Sequence, residues 1–265
     1  MATASTLPTS GNQFTKDLFN REAAAWESNP LVHALSDRAW IAIREFVPGF
    51  NSAPDAGTSA NSGPDILEIG CGTGLLTVQT ATQANRVVAI DAATAMIEVL
   101  ETKLKKPNAP NNVLPLAIML EDPEDASLPP ADPSQPSGPR LKYDLITSHL
   151  VLHHLPEVPP ILRTMFGCLK PGGRVALTDF EDFGPEAKRF HQESRLPSVE
   201  RHGIKRNWIA GEMEKVGFVN VQIEVAWRHV KDVEKYPGQF DAEKNPVGEE
   251  MEFSYLICLG RRPES

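Results

Sequence analysis

The sequence predicts an α/β protein with a doubly wound, mostly parallel sheet of seven strands, preceded by an N-terminal helical segment. A short apolar run, residues 65–69, ends in a glycine-rich turn that leads into helical sequence. Strand-like and helix-like segments then alternate to about residue 180, and repeated β–α units give a parallel sheet with helices on both faces. The last two strands have no helical pattern between them, so we expect the final strand to run antiparallel to the others.

Each element follows from the periodicity of its apolar residues. Strands are expected at residues 65–70, 86–91, 113–119, 143–148, 174–178, 218–226 and 251–260. Helices are expected between them at residues 75–83, 94–105, 157–169 and 207–216. Residues 121–142 contain six prolines and several acids, which predicts an irregular surface insertion. The polar stretch 226–250 is expected to be a long loop between the last two strands.

Composition divides the chain into four segments. Residues 1–12 are small and polar and are expected to be a disordered tail. Residues 13–47 carry apolar side chains at helical spacing, interrupted near Pro30, and predict two helices. Residues 48–63 are rich in Pro, Gly and Ser and predict a linker. Residues 64–262 form the predicted main domain.

The charge, the cysteine content and the hydropathy argue against several classes of protein. A net charge of −9 over 265 residues argues against a nucleic-acid partner, which favours a basic face. The three cysteines are far apart and form no C-x-x-C, so neither a disulfide framework nor a zinc site is indicated. The sequence shows no signal peptide and no apolar run of membrane-spanning length. We therefore expect a cytoplasmic protein with no membrane partner, and the sequence leaves the oligomeric state open.

Three glycines at alternate positions, Gly70, Gly72 and Gly74, predict a ligand site. Glycine lets the backbone approach a ligand closely because it has no side chain. A second apolar run ends in Asp91, and a carboxylate there suits the two hydroxyls of a ribose. Glu68, two residues before the first glycine, suits an ammonium group better than a pyrophosphate. The spacing also differs from the G-x-G-x-x-G of dinucleotide sites, so a different nucleoside cofactor is indicated.

The run Glu68–Gly74, with Asp91 behind it, resembles the first motif of the class I, Rossmann-like S-adenosylmethionine-dependent methyltransferases. The resemblance extends by motif over residues 64–180, where Leu169–Gly173 matches the family's Leu-Lys-Pro-Gly-Gly turn. It extends to the C-terminal strand pair by pattern, since the last strand of this family runs against the others. The resemblance implies S-adenosyl-L-methionine as the cofactor and methyl transfer by in-line displacement, which depends mainly on positioning.

The resemblance also implies roles for the residues of the turn. The backbone of the turn, with Cys71 and Thr73, would pass beneath the methionine end and the ribose of the cofactor. Glu68 would face the ammonium group, directly or through water. Asp91 would accept from the ribose hydroxyls, and the alternative role for this acid is to cap the next helix.

The adenine end of the cofactor would lie farther along the sheet. Ala92 and Met96 would form an apolar wall there, with core packing as the alternative role of Met96. The family places an adenine-binding acid after the third strand, and this chain offers Glu121 or Asp122. The usual Asp followed by a small residue is not present at that point, so the choice between the two stays open.

The end of the fourth strand carries the next set of candidates. Ligands of open α/β sheets bind at the carboxyl ends of strands, so Ser148 and His149 are expected beside the methyl donor. His149 would make contact mainly through its backbone. His153, next to His154, is a candidate catalytic residue whose alternative role is to cap the following helix. No nearby carboxylate or cysteine in the sequence completes a site with these histidines, so no metal is predicted.

Three further residues are candidates for acid–base chemistry. Asp179, at the end of the fifth strand, is a candidate to orient or deprotonate the acceptor. His191 and His202 lie in a segment that covers the substrate pocket in related enzymes, and an imidazole titrates in the useful range. The alternative for each of these residues is a solvated surface side chain.

The N-terminal helices resemble the lid of small-molecule methyltransferases. Phe14, Phe19 and Trp26 would cover the substrate, or would simply pack the helices onto the sheet. Residues 148–151 read Ser-His-Leu-Val and lack the Asn- or Asp-Pro-Pro-aromatic loop of DNA amino-methyltransferases. The paired-glutamate loop of protein arginine methyltransferases is not recognisable either. We therefore predict a small-molecule acceptor with an O, N or S nucleophile.

Two other functions compete with this prediction. An NAD-dependent oxidoreductase is disfavoured by the glycine spacing and by the lack of a Tyr-x-x-x-Lys pair. A catalytically silent regulator that binds the cofactor is compatible with the same motifs, because the glycines, Glu68 and Asp91 indicate cofactor binding and not catalysis.

Overall fold

The structure, a computed structural model, describes residues 10–48, 50, 63–244 and 246–265. Most of the predicted tail and linker, residues 1–9, 49 and 51–62, therefore lies outside the described residues. Helix α1 (Ser10–Glu27) begins three residues earlier than predicted, inside the segment expected to be a tail.

The second N-terminal helix, α2 (Pro30–Phe46), begins where the sequence predicts a break. The side chain of Asn29 accepts a hydrogen bond of 2.9 Å from the backbone N–H of Leu31. Pro30 occupies the first helical position, where its missing N–H costs nothing. This cap separates α2 from α1.

Seven strands form one sheet in the order β3-β2-β1-β4-β5-β7-β6. Their bounds are β1 (Asp65–Ile69), β2 (Arg86–Asp91), β3 (Val113–Ala117), β4 (Tyr143–His149), β5 (Leu169–Phe180), β6 (Val219–Val233) and β7 (Glu249–Arg261). Strands β1 to β5 pair in parallel, and β7 runs antiparallel to both β5 and β6. The predicted fold class is confirmed.

Helices cover both faces of the sheet. The remaining α-helices are α3 (Leu75–Thr80), α4 (Thr94–Leu104), α5 (Val158–Cys168), α6 (Arg206–Val216) and the single turn α7 (Gln239–Ala242). Short 3₁₀ turns occupy Leu152–His154, Pro185–Phe190 and Glu193–Ser198. Helices α2, α3 and α4 pack on one core beside the sheet, and α5 and α6 pack on a second core on the opposite face.

All five residues of β1 are buried, as expected for a central strand covered on both sides. Helix α1 lies outside the first face and packs on α4 through Ala23, Ala93 and Met96. This arrangement leaves the carboxyl ends of β1, β2 and β4 under α1.

The loop predicted at residues 226–250 is wrong at its two ends, and residues 234–248 connect the strands as predicted, with the single turn α7 among them. Strand β6 continues to Val233 and β7 begins at Glu249, so the two form a long hairpin with pairs from Trp227–Tyr255 to Val233–Glu249. From Trp227 to Val233, exposed residues alternate with half-buried or buried ones, which is the pattern of a strand with one solvated face.

The other long insertion, residues 121–142, has no helix and no strand, as predicted. Its conformation is held by the buried guanidinium of Arg140, which donates to the carbonyl oxygens of Leu128, Pro136 and Gly138. In the part of the chain that the structure describes, every helix is too short or too polar to cross a bilayer.

Candidate active site

A cavity of about 170 Å³ lies at the carboxyl ends of β1, β2 and β4. The strand order changes direction between β1 and β4, and such a switch point is where open α/β sheets bind ligands. The walls come from the turn after β1, the segments after β2, β3 and β4, and helix α1.

The glycine turn has the geometry that only glycine adopts without strain. Gly70 and Gly74 have φ angles of +73° and +81°. A Cβ atom on Gly70 would lie 2.3 Å from Cγ2 of Val151, and one on Gly74 would lie 2.4 Å from Cδ1 of Leu100. These two glycines are therefore fixed both by backbone conformation and by close packing.

Gly72, between them, faces the cavity instead. Its φ is +54°, and the nearest atom to a Cβ built there is Nε1 of Trp26, at 3.7 Å. Cys71 and Thr73 also line the cavity, and both are buried. The hydroxyl of Thr73 has no hydrogen-bond partner among the described residues.

Two carboxylates, Glu68 and Asp91, lie on the cavity wall. Burial and, to a smaller extent, the neighbouring Asp91 raise the pKa of Glu68 to about 8. Oε2 of Glu68 is buried and lacks a partner within the described part of the chain. An ammonium group would supply the hydrogen-bond donor that this oxygen lacks.

The carboxylate of Asp91 bridges the glycine turn and the start of α4. One oxygen accepts from the N–H of Gly72 at 2.9 Å, and the other accepts from the N–H of Ala93 at 2.8 Å. Burial raises its pKa. Each carboxylate oxygen keeps a second lone pair, so the helix-cap contact leaves Asp91 able to accept from a diol.

The wall beyond Asp91 is apolar. Ala92 and Met96 line it, and Met96 also packs against Ala23 and Ala93 beneath α1. Met96 thus lines the cavity and also packs in the core, the two alternatives that the sequence left open.

The structure does not bring the carboxylates predicted for adenine, Glu121 and Asp122, to the cavity. Both side chains are exposed, and Oδ1 of Asp122 accepts the backbone N–H of Glu124 instead. The segment after β3 contributes Ile118, Met119 and Leu120 to the wall. The side chains after β3 therefore offer an apolar surface rather than an acid.

The two polar residues at the end of β4, Ser148 and His149, have different surroundings. Oγ of Ser148 donates to the carbonyl oxygen of Ile69 at 2.8 Å, which ties β4 to β1. His149 lines the cavity, and Nδ1 of its ring lies 2.8 Å from Oγ1 of Thr178. Burial lowers the pKa of His149 to about 4. Its Nε2 is buried with no partner in the described residues.

The side chains of His153 and Asp179, two of the predicted site residues, contact each other. Nδ1 of His153 lies 2.8 Å from Oδ1 of Asp179, and the backbone N–H of His153 donates to Oδ2 at 3.1 Å. Both side chains are buried. Asp179 thus holds His153 through its backbone and its ring, which fixes the 3₁₀ turn after β4.

The rings of His154 and His191 cluster beside this pair. The ring of His153 lies 4.0 Å from that of His154 and 5.2 Å from that of His191, measured between centroids. His154 lines the cavity, and its Nδ1 contacts the carbonyl oxygen of Ser198 at 2.8 Å. Burial lowers the pKa of both His154 and His191. No group of metal-ligating side chains in the described ranges has the arrangement of a metal site.

Two other predicted residues lie away from the cavity. The side chain of His202 is exposed, and Phe14 is 46% exposed. Phe19 and Trp26 do line the cavity, and their rings pack edge to face with centroids 5.5 Å apart. Phe19 also packs edge to face on His154 at 5.1 Å. Helix α1 therefore covers the cavity through two of the three predicted aromatic residues.

Sequence reasoning missed two aromatic residues near His149. The ring of Trp227 lies 6.3 Å from that of His149 and stacks on Tyr255 at 4.8 Å with an interplanar angle of 12°. Trp227 lies in the segment interpreted as a loop. The apolar residues Trp227, Val230 and Val233 are three positions apart, so the sequence shows no apolar–polar alternation that would have placed Trp227 on a strand.

Comparison with known proteins agrees with this architecture. The family model described as "Methyltransferase domain" matches residues 39–223, well over half of the chain. An uncharacterized methyltransferase of Schizosaccharomyces pombe is 23% identical over 208 residues, which is 70% of each chain. The ubiquinone biosynthesis O-methyltransferase of Marinobacter nauticus is 29% identical over 153 residues, which cover 54% of this chain and 57% of that enzyme.

A solved structure gives the same fold over nearly the whole chain. The N-methyltransferase NodS of Bradyrhizobium japonicum, in complex with S-adenosyl-L-homocysteine, superposes with a TM-score of 0.54 at 15% identity. The match covers 94% of this chain and 99% of NodS. The family match, the sheet order and the glycine turn agree, and the chain therefore belongs to the methyltransferase-domain family, the class I enzymes that use S-adenosylmethionine.

Proposed function

We propose that the cavity under α1 binds S-adenosylmethionine and that the protein transfers its methyl group to a small-molecule acceptor with an O, N or S nucleophile. One observation carries the proposal: the buried, unpartnered oxygen of Glu68 lies on the same wall as Asp91 and the glycine turn. A cationic amino-acid group and a ribose diol match these two carboxylates.

We assign the cofactor contacts residue by residue. Glu68 accepts from the ammonium group, and Asp91 accepts from the ribose hydroxyls. The backbone at Gly72, where a Cβ atom would lie 3.7 Å from Nε1 of Trp26, passes beneath the ligand. Ala92 and Met96 face the adenine, together with the apolar residues after β3 named above.

The bound cofactor supplies a sulfonium, which is an activated methyl donor. The protein itself holds the methyl donor and the acceptor in position and excludes water. Positioning alone lowers the activation barrier by about 7–11 kcal/mol in well-oriented reactions. We propose that residues 13–47 act as a helical lid over a catalytic domain at 64–262. In support, Asn20 accepts from the N–H of Ala95 at 2.9 Å, and Lys103 pairs with Glu27 at 2.7 Å. These contacts close α1 over the cavity.

A small acceptor is supported by the cavity volume of about 170 Å³ and by the charge of the protein. The net charge of −9 opposes binding of a polyanion. The Marinobacter relative is named as an O-methyltransferase and NodS as an N-methyltransferase, so the relatives leave the acceptor atom open. Cys71, Cys168 and Cys258 are free and buried, which suits a reducing compartment, and we propose that the protein works in the cytoplasm.

Isothermal titration tests the proposal. We expect wild type to bind S-adenosylmethionine and S-adenosylhomocysteine but not NAD, and Asp91→Ala to lose both sulfur nucleosides. Asp241→Ala, an exposed acid on α7, is the matched control and should bind as wild type does. Failure of wild type to bind either sulfur nucleoside would overturn the proposal. Tight binding without methylation of any acceptor in a broad screen would favour the silent regulator instead.

A further inference from the structure

A second cavity, of about 230 Å³, lies beside the carboxyl end of β6. Its walls come from residues 231–234, the end of the 3₁₀ turn Pro185–Phe190, the first turn of α2 and the short helix α7. No described residue lines both this cavity and the cavity under α1. The binding site proposed above therefore does not account for it.

One side chain in this wall, Lys231, has an incomplete set of partners. Its Nζ donates to the carbonyl oxygen of Phe190 at 2.6 Å and lies 4.3 Å from the centre of the Phe190 ring. The ring attracts the positive charge but accepts no conventional hydrogen bond. An ammonium group carries three N–H donors, so two of them have no protein acceptor in the part of the chain that the structure describes.

The positive charge of Lys231 also has no counter-charge. Its side chain is partly buried, and its ammonium group forms no ion pair with a carboxylate of the described residues. Burial lowers its pKa to about 8, and no nearby carboxylate opposes that effect. Proteins pair the charges that they remove from water, because an unpaired charge costs free energy. Lys231 is therefore a cation that the described chain does not neutralise.

The carboxylates of the same wall are committed to other groups or directions. Oε1 and Oε2 of Glu234 accept the backbone N–H groups of Phe240 and Glu193, at 3.0 Å and 2.8 Å. Asp232 follows Lys231 along β6, so its exposed side chain leaves the opposite face of the strand. Neither carboxylate therefore neutralises Lys231.

Arg189, the other cation of the wall, is by contrast neutralised within the chain. Its guanidinium group contacts the carboxylates of Glu249 at 3.1 Å and Glu186 at 3.3 Å. It also donates to the carbonyl oxygen of Glu234 at 3.0 Å. The two cations therefore differ, and the uncompensated positive charge of the cavity belongs to Lys231.

We propose that the second cavity binds a small oxyanion, a carboxylate or a phosphate group, as the counter-ion of Lys231. The two remaining N–H groups of the ammonium donate to the anion oxygens, and the amide of Gln192 in the same wall adds a donor. Since roughly 15 Å³ of cavity holds one water molecule, the volume of about 230 Å³ admits an organic acid or a phosphate ester. The site is separate from the proposed cofactor site and does not depend on it.

An anion favours the charged form of Lys231, which gives the site a characteristic pH dependence. Anion affinity should fall as pH rises above about 8, because the ammonium group then loses its proton. Burial and, among other charges, Lys231 lower the pKa values of His191 and His229, so both imidazoles are neutral in this range. The cavity is otherwise lined by charged side chains of types that titrate outside this range, Arg189, Asp232 and Glu234.

Thermal unfolding of the full chain in acetate, inorganic phosphate or chloride, at equal ionic strength, tests the site. We expect acetate or phosphate to raise the unfolding temperature of wild type above its value in chloride, and the more effective anion identifies the class. Lys231→Met keeps an aliphatic stem and removes the charge, so the shift should disappear. Lys235→Met, the same change at an exposed lysine beyond β6, is the control and should keep the shift.

The pH dependence gives a second measurement that needs only wild type. Acetate keeps its charge above pH 7, and sulfate can replace phosphate for the same reason. Between about pH 7 and pH 9 the affinity for the effective anion should fall roughly tenfold, following the loss of the proton from Lys231. A lysine that only clamps Phe190 would produce neither the anion effect nor this pH profile.

Each outcome decides the proposal. Equal unfolding temperatures of wild type in the three salts would overturn the site. A shift that Lys231→Met retains, or an anion affinity that stays constant with pH, would overturn the role of Lys231. Both experiments are done without S-adenosylhomocysteine, whose binding by Lys231→Met should equal that of wild type. Failure of the proposed function would therefore leave this inference standing, and failure of this inference would leave the proposed function standing.

Discussion

His153 and Asp179 form a buried pair in which one carboxylate holds both the ring and the backbone of one histidine. The distances are 2.8 Å from Nδ1 to Oδ1 and 3.1 Å from the backbone N–H to Oδ2. Asp179 also accepts the N–H of Phe180 at 2.9 Å. The pair therefore joins the end of β5 to the turn after β4.

We expect Asp179→Asn to destabilise the protein. The amide nitrogen of Asn is a donor and would meet one of three N–H donors, so a buried hydrogen bond is lost, at a cost of about 1–3 kcal/mol. Urea denaturation measures the loss, with Asp241→Asn on the surface as control. An unchanged midpoint for Asp179→Asn would mean that the pair does not hold the turn.

The buried carboxyl of Glu68 makes stability depend on pH. Its pKa of about 8, against an ordinary 4.5, means that the folded protein keeps a proton that the unfolded chain releases between these values. The free energy of unfolding of the ligand-free protein should therefore fall as pH rises through this window. Glu68→Gln should flatten that fall, whereas Glu98→Gln, exposed on α4, should not. Identical pH profiles for the two variants would contradict the assignment.

The raised pKa of Glu68 also predicts that the protein releases protons when the cofactor binds. An ammonium group pairs with ionised Glu68, so affinity for S-adenosylhomocysteine should fall as pH drops below about 8, by up to tenfold per pH unit. Titration calorimetry in two buffers of different ionisation enthalpy counts the protons. Wild type should release a fraction of one proton near pH 7 that Glu68→Gln does not release.

The glycines of the turn should separate stability from binding. Gly70→Ala places a methyl group against Val151 at a positive φ and should cost about 2 kcal/mol or more of stability. Gly72→Ala would meet only Nε1 of Trp26, at an ordinary contact distance of 3.7 Å, so its stability cost is the backbone strain of about 1–2 kcal/mol, but its methyl group enters the cavity. We expect Gly72→Ala to lose more cofactor affinity than stability. Thermal unfolding with and without S-adenosylhomocysteine compares the two; equal ligand-induced shifts would refute the distinction.

Helix α1 offers a matched pair of aromatic residues. Phe19 lines the cavity and packs on Trp26 and His154, whereas Phe14 is 46% exposed. Phe19→Ala should weaken S-adenosylhomocysteine binding, mainly through faster dissociation, because the cavity loses part of its cover. Phe14→Ala should change stability by no more than about 0.5 kcal/mol. Stopped-flow dissociation rates that rise equally in both variants would exclude a lid role specific to Phe19.

Much of the fold is predictable because it rests on local patterns. The apolar run before Gly70 and the run ending in Asp91 have the periodicity of buried parallel strands, and the structure places both where the pattern does. The cap at Asn29 likewise follows from short-range chemistry. These features need only neighbouring residues to be recognised.

The parts that the sequence leaves uncertain depend on long-range packing. Glu121 and Asp122 follow β3 as expected, but the chain turns them to solvent, and nothing nearby in sequence reveals that direction. Trp227 reaches His149 only because β6 pairs with β7 far beyond the predicted strand end. His153 and Asp179 were separate candidates, and their pairing across 26 residues is visible only in the folded chain.

The contact between Gly70 and Val151 has a consequence for ligand binding. The glycine turn and the segment after β4 lie so close that a single methyl group does not fit between them. A ligand that orders one of these segments should therefore restrict the other through van der Waals contact. Such coupling is reciprocal, so a ligand beside the glycine turn and a ligand beside the segment after β4 should change each other's affinity by the same factor.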